Sequence, residues 1–224
     1  MKRWQQTRSP ISLLALLWLL CVLLASILAP LLPIAAPEAA TPASSWSAPN
    51  DVYLLGSDAL GRDLWSRILW GSRVSLACAL AGATTALLLG VSWGLLAGGG
   101  SARRDDWMMR IVDLVDSIPL VFLVILLASI ARGSAWEAVG GGLGLFFIIL
   151  GIVYWTPMAR IVRGETRSLV TREWALAATA LGTRPTRILW RHVLPNLFPT
   201  ILVTLTLIIP RVLLFEAFLS FLGL

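Results

Sequence analysis

Long apolar blocks alternate with short charged stretches along this chain. A run at 11–32 is followed by the Pro/Ala/Ser stretch APEAATPASSWSAPN, a mixed segment, and further apolar blocks at about 74–96, 107–130, 143–158 and 197–221. A bilayer hydrocarbon core about 30 Å thick needs roughly 20 residues of helix. Each block is close to one passage, so the pattern predicts an all-α polytopic membrane protein with five spans. The two-residue alternation that an outer-membrane barrel requires is missing from these Leu, Ile, Val and Ala blocks.

Charge orients the spans. Lys2, Arg3 and Arg8 precede the first run, with Pro10 placed for a first helical turn. The run is long for a signal peptide and no compelling cleavage site comes after it, so it reads as an anchor with the N-terminus inside. Arg103 and Arg104 then fall in an inside loop, and the arginines from Arg160 to Arg191 in a second one. Arg62, Arg67, Arg73 and Arg132 are left outside, which dilutes but does not reverse the positive-inside bias. The segment at 60–73, with Trp65 and Trp70, is expected as an interfacial helix before the second span. Gly82, Gly90 and Gly94 mark that span as one whose backbone approaches its neighbours closely inside the bundle.

Composition supports the same class. Hydrophobic residues make up 58% of the 224 and charged ones 13%, too apolar for a soluble domain of this size. The net charge of +6 is explained by span ends better than by nucleic acid. A single histidine, His192, excludes a multi-histidine metal site, and Cys21 and Cys78 are expected as small buried hydrophobes. There is no G-x4-GK[ST] motif, so ATP hydrolysis is not this chain's own chemistry.

Two sets of polar residues stand out. Arg110 and Asp113 share a helix face and are expected to pair, with Asp116 one turn further on and Glu216 on the last span; buried acids of this kind favour a polar network or a translocation path over lipid. Asp58, Arg62, Asp63 and Arg67 are expected in a short outer gate segment, held by surface pairs. The inside segment at 160–196 interleaves Leu169, Trp174, Leu176, Ala177 and Leu181 with arginines. A helix from Glu173 to Leu181, a break at Gly182 and a second helix opened by Pro185 make a compact knob. Chemistry alone leaves two readings open: an amphipathic hairpin on the inner leaflet, or a knob seated in a soluble partner.

Glu173, Ala177, Ala178 and Gly182, followed by Leu194 and Pro195, resemble the EAA loop of ABC importer permeases. The match departs at Leu176, where the triplet's glutamate usually stands, and at His192, where isoleucine is usual. The stretch at 54–76, with Gly56, Asp58, Gly61, Arg62, Asp63, Ser66 and Arg67, resembles the outer segment of C-type permeases for dipeptides, oligopeptides and nickel. Arg110, Asp113 and Pro119 in MRIVDLVDSIP, and EAFLSFLGL at 216–224, are similar to later parts of that family.

The resemblance implies a type I importer permease fold. It implies an ATPase-coupling role for Glu173, Ala177, Ala178, Gly182, Leu194 and Pro195, and no cofactor or metal bound by this chain. Partners would be a homologous B-type permease, two cytoplasmic ATPase subunits that use ATP and Mg, an extracytoplasmic solute-binding protein and a peptide substrate, all without nucleic acid, in the bacterial inner membrane. Nickel import and a truncated, inactive permease are the alternatives, since five of an expected six spans precede the end at Leu224. On this reading 1–73 is an anchor with an outer segment, and 74–224 is the permease core containing the 160–196 loop.

Overall fold

The computed structural model describes residues 10–131, 150–151 and 153–221. It is all-α, and among the described residues three helices are long and apolar enough to cross a membrane: Pro10–Leu31, Leu64–Gly98 and Pro185–Phe221. At 1.5 Å per residue the latter two, of 35 and 37 residues, are about 50 to 55 Å long and exceed the hydrocarbon thickness. Two compact units divide the chain, Met1–Ala77 and Cys78–Leu224.

In the first unit, α1 (Pro10–Leu28) runs into a 3-10 turn, Ala29–Leu31, where Pro30 ends the α-helical ladder. Only 6% of its most apolar window is buried, and Cys21 is exposed on it, contrary to the expectation of a buried thiol. A helix that is apolar all round and exposed along most of its length among the described residues suits lipid or another subunit. The Pro/Ala/Ser stretch, expected as a plain linker, is instead strapped down by hydrogen bonds. Ser47 and Ser57 exchange backbone and side-chain bonds, Trp46 N donates to Asp58 O at 3.1 Å, and Ser66 Oγ donates to Ala35 O at 2.5 Å. Gly61, at φ 72°, admits this packing: a Cβ there would lie 1.9 Å from Thr41 O.

α2 (Leu64–Thr85) starts where Asp63 accepts the backbone N–H groups of Trp65 and Ser66, each at 3.2 Å. It continues through a π-helical turn, Ala86–Gly90, into α3 (Val91–Gly98). The interfacial helix expected at 60–73 is therefore, from Leu64 on, the first part of one long helix, which passes through Gly71 without a break.

The second unit is built on α3. α4 (Ala102–Ser117) and α5 (Leu120–Ala131) replace the single span expected at 107–130. Pro119 forces Ile118 into an extended conformation, φ −81° and ψ 122°, and breaks the helix there. Half of the span expected at 143–158 lies outside the described residues; 150–151 and 153–154 are helical, Trp155 is a turn, and α6 (Thr156–Val170) comes next. The expected loop at 160–196 thus begins inside a helix. After it come α7 (Glu173–Ala180), α8 (Pro185–Ile188), a π-helical turn at Leu189–Val193 and α9 (Leu194–Phe221).

Glycine sets the spacing of the core. Gly90, Gly94 and Gly98 recur every four residues on the α3 side that faces α6. Added Cβ atoms would come within 2.7 Å of Trp155 O, 2.6 Å of Ala159 O and 2.6 Å of Arg163 O, so the two backbones touch. Val112 of α4 joins Trp155 and Ala159 in a buried cluster with Trp93 and Met109 against it. Trp93 meets Trp155 edge-on at 5.2 Å and donates Nε1–H to Met108 O at 3.1 Å. α5 packs Val124 on Leu219 of α9, and Gly82 lets Val212 of α9 approach, an added Cβ lying 2.8 Å from its Cγ2.

Candidate functional site

The 173–195 segment hangs from α6 and α9. α7 starts at Glu173 after Arg172, which is extended at φ −71° and ψ 150°. It ends in a Schellman cap: Gly182, at φ 81°, donates to Thr179 O at 2.9 Å and Thr183 N donates to Ala178 O at 3.0 Å. Pro185 then occupies the first turn of α8, where its missing N–H costs nothing. The expected helix, break and helix are present. However, the second helix is not a separate short piece: it runs through the π turn into α9. That turn widens the ladder just before Pro195, which has no N–H to donate to Arg191.

The segment's apolar side chains are split by exposure. Ala175 is buried and Trp174 packs on His192 at 6.2 Å between ring centroids, fixing α7 against the π turn. Leu176 and Leu181 point outward, Leu181 at 86% exposure. Glu173, Ala177 and Gly182 are exposed and Ala178 half-buried, so these four share the free end. Leu194, half-buried, and Pro195, exposed, sit apart from them at the start of α9.

Two ionic clusters join α4 to α6 on either side of the Val112–Ala159 core. Near the free end, Asp105 has a side chain only 3% exposed. Both its oxygens accept from Arg163, Nε at 2.7 Å and Nη2 at 2.6 Å, and Arg167 Nη1 adds a third bond at 2.6 Å. The Arg163 hydrogen bonds hold the Asp105 carboxyl below the usual carboxylate range, against the opposing effect of burial. At the far end, Arg160 bonds Asp116 at 2.7 Å and Asp113 at 2.9 Å, and Thr156 Oγ1 donates to Asp116 at 2.5 Å.

Asp113 and Asp116 therefore do join an inter-helix network, but the cation is Arg160. The expected Arg110 partner is exposed and makes no ion pair among the described residues. The i, i+3 pair loses because Arg160, across the helix contact, reaches both carboxylates at once. Glu216 is half-buried on α9, four residues past Val212.

Reading the sequence missed Asp105, Arg163 and Arg167 as a site. Their signal is the i, i+4 spacing of the two arginines beside an aspartate at the opening of an inside helix.

In the first unit, Asp58 pairs with Arg62 at 2.8 Å and with Arg67. The backbone N–H of Arg62, with help from both guanidinium groups, pulls its carboxyl well below the usual range. Asp63 takes no part in these pairs; it caps α2 instead.

Residues 90–224, which hold α3 to α9 and both ionic clusters, match the family described as binding-protein-dependent transport system inner membrane component. The chain belongs to that family. Its long apolar helices suit that family's membrane location, and the relatives it matches are permeases. The oligopeptide transport system permease protein OppC of Bacillus subtilis (strain 168) is 40% identical over 178 residues, covering 79% of this chain and 55% of the relative. The dipeptide permease DppC of the same organism is 37% identical over 176 residues, 79% of this chain and 52% of the relative. Escherichia coli (strain K12) OppC is 36% identical over 225 residues, all of this chain and 71% of the relative. The chain spans about half the length of the two Bacillus relatives. Among the described residues no group of three or more His, Cys, Asp or Glu is placed to hold a metal ion.

Proposed function

We propose that this chain is the C-type permease subunit of an ABC importer that moves oligopeptides or dipeptides across the cytoplasmic membrane. It pairs with a B-type permease, takes substrate from an extracytoplasmic binding protein and is driven by two cytoplasmic ATPases. The observation that carries this reading is the 173–182 knob: a capped helix with exposed Leu176 and Leu181, held by its stem and fitted to enter a cleft. The peptide class rests on the names of the relatives.

Five passages suit this role: the three long helices, the broken pair α4 and α5, and the span expected at 143–158. With that count the knob lies inside the cell. Asp113, Asp116 and Glu216 contribute to the polar interior of the permease pair, and the Asp58 cluster stiffens the outer segment. The work of transport is then differential stabilisation of inward-open and outward-open states by nucleotide and substrate.

Leu181→Asp tests the knob directly. Gly182 is a poorer target, because its positive φ strains any side chain placed there. Burying Leu181 in a partner is worth roughly 1.5–3 kcal/mol, so the aspartate lowers ATPase recovery on co-purification by about ten- to a hundredfold. Unchanged recovery sinks the coupling role. A cysteine at Thr183 labelled by an impermeant reagent from outside intact cells sinks the topology.

A further inference from the structure

The corner between α3 and α4, residues 98–105, touches both arms of the knob. Toward the incoming arm, Asp105 grips Arg163 and Arg167 of α6. Toward the outgoing arm, a Cβ at Gly99 would lie 2.5 Å from Leu189 Cδ2, so the corner backbone lies against the π turn. The corner itself is stiff: Gly99 N donates to Leu95 O at 3.0 Å, Gly100 N to Ala97 O at 3.1 Å, and Arg104 Nη2 to Leu96 O at 2.8 Å.

The charge balance of the Asp105 cluster is informative. One carboxylate needs one cation, yet two arginines a helical turn apart converge on it. Arg163's fork fixes the plane of the carboxylate. Arg167 extends the hold by one turn toward α7, so α4 is tied to the stretch of α6 that leads into the knob.

We propose that Asp105 is a positioning residue for energy coupling, making the α3–α4 corner move with the knob. This rests on the coupling reading above. Displacement of α7 then reaches the membrane helices by two routes: along the chain through α6 and α9, and sideways through Asp105 into α3 and α4. Losing the sideways route lets the ATPases bind and turn over while α3 and α4 lag behind.

The test uses the complete transporter, with its ATPases and binding protein, reconstituted in liposomes with a peptide substrate. Peptide taken up per ATP hydrolysed is measured for wild type, Asp105→Asn and Arg163→Lys, alongside ATPase recovery on co-purification. Asparagine keeps size but not charge, and lysine keeps charge but not the fork, so folding failure of one leaves the other as the probe.

The expected result is at least a tenfold fall in uptake per ATP with ATPase recovery unchanged. Arg167→Gln, which removes only the third bond, falls between them and wild type. Uptake and hydrolysis falling together, or neither changing, overturns the proposal, as does loss of ATPase recovery in Asp105→Asn, since Asp105 would then only hold the knob's shape. Leu181→Asp in the same assay separates the two ideas: if that variant recovers ATPase normally, the knob reading itself has failed.

Discussion

α6 and α7 are neighbours in sequence and opposites in packing. α6 buries Met158, Ala159, Val162, Thr166 and Leu169 against a glycine-lined helix and pins its arginines to α4. α7, two residues later, buries Ala175 and presents Leu176 to solvent, with Leu181 at its end. Both contain alanine and leucine, so the presence of apolar side chains does not separate them. What separates them is whether a complementary surface exists within the chain. For α6 it is the side-chain-free face of α3; for the outward face of α7, with Leu176, none is found among the described residues. A stem without slack and a tip whose outward face has no partner among the described residues is the arrangement by which an external push is carried inward instead of being absorbed locally.

The sharpest way to break that contrast is to fill the stem. Gly94→Leu puts a side chain where Ala159 O and Val162 Cβ stand at 2.6 and 2.7 Å, and backbone cannot step aside. We expect a loss of about 3 kcal/mol, seen as a collapse in monodisperse yield from detergent. Leu181→Asp, as drastic a change at the tip, leaves that yield untouched. A normal yield for Gly94→Leu would show that α3 and α6 are not in backbone contact.

The Asp105 cluster gives a second, intermediate effect with a pH signature. Its folded pKa is lowered below the value of about 3.9 expected for an unfolded Asp. The stabilisation is therefore fully present above about pH 4 and is lost as pH falls through the lower folded value. The gap in melting temperature between wild type and Asp105→Asn stays constant from about pH 8 to 5 and begins to close only below about pH 4. A gap that varies across the upper range would mean another group governs it.

The smallest effect belongs to Thr166, whose Oγ1 is buried without a hydrogen-bond partner among the described residues. Thr166→Val keeps the shape and removes the orphan, so stability is unchanged or rises by up to about 1 kcal/mol. A drop would show that the hydroxyl has a partner.

Much of the architecture is readable from the sequence where the signal is local. Pro10, the Gly182 cap and Pro185 act through their own backbone preferences, and the helix from Glu173 and its glycine break arise from them. Gly90 and Gly94 likewise announce close packing. Boundaries that depend on a neighbouring helix do not show. Arg160, Arg163 and Arg167 make α6 from residue 160 on look like a loop, because their partners Asp113, Asp116 and Asp105 lie on another helix, 44 to 62 residues away in sequence. Likewise Arg110 and Asp113 fit a local spacing rule, and the tertiary contact overrides it.

The π turns at Ala86–Gly90 and Leu189–Val193 each hold one more residue per turn than the helix on either side. An extra residue rotates everything beyond it by about 100° around the axis. Each works as an expansion joint. A one-residue deletion inside the first turn restores an ordinary α-helical ladder and resets the angular heading of the α3 glycine face; in the second, Pro195 still leaves one bond unmade, and the deletion resets the heading of the outgoing α9.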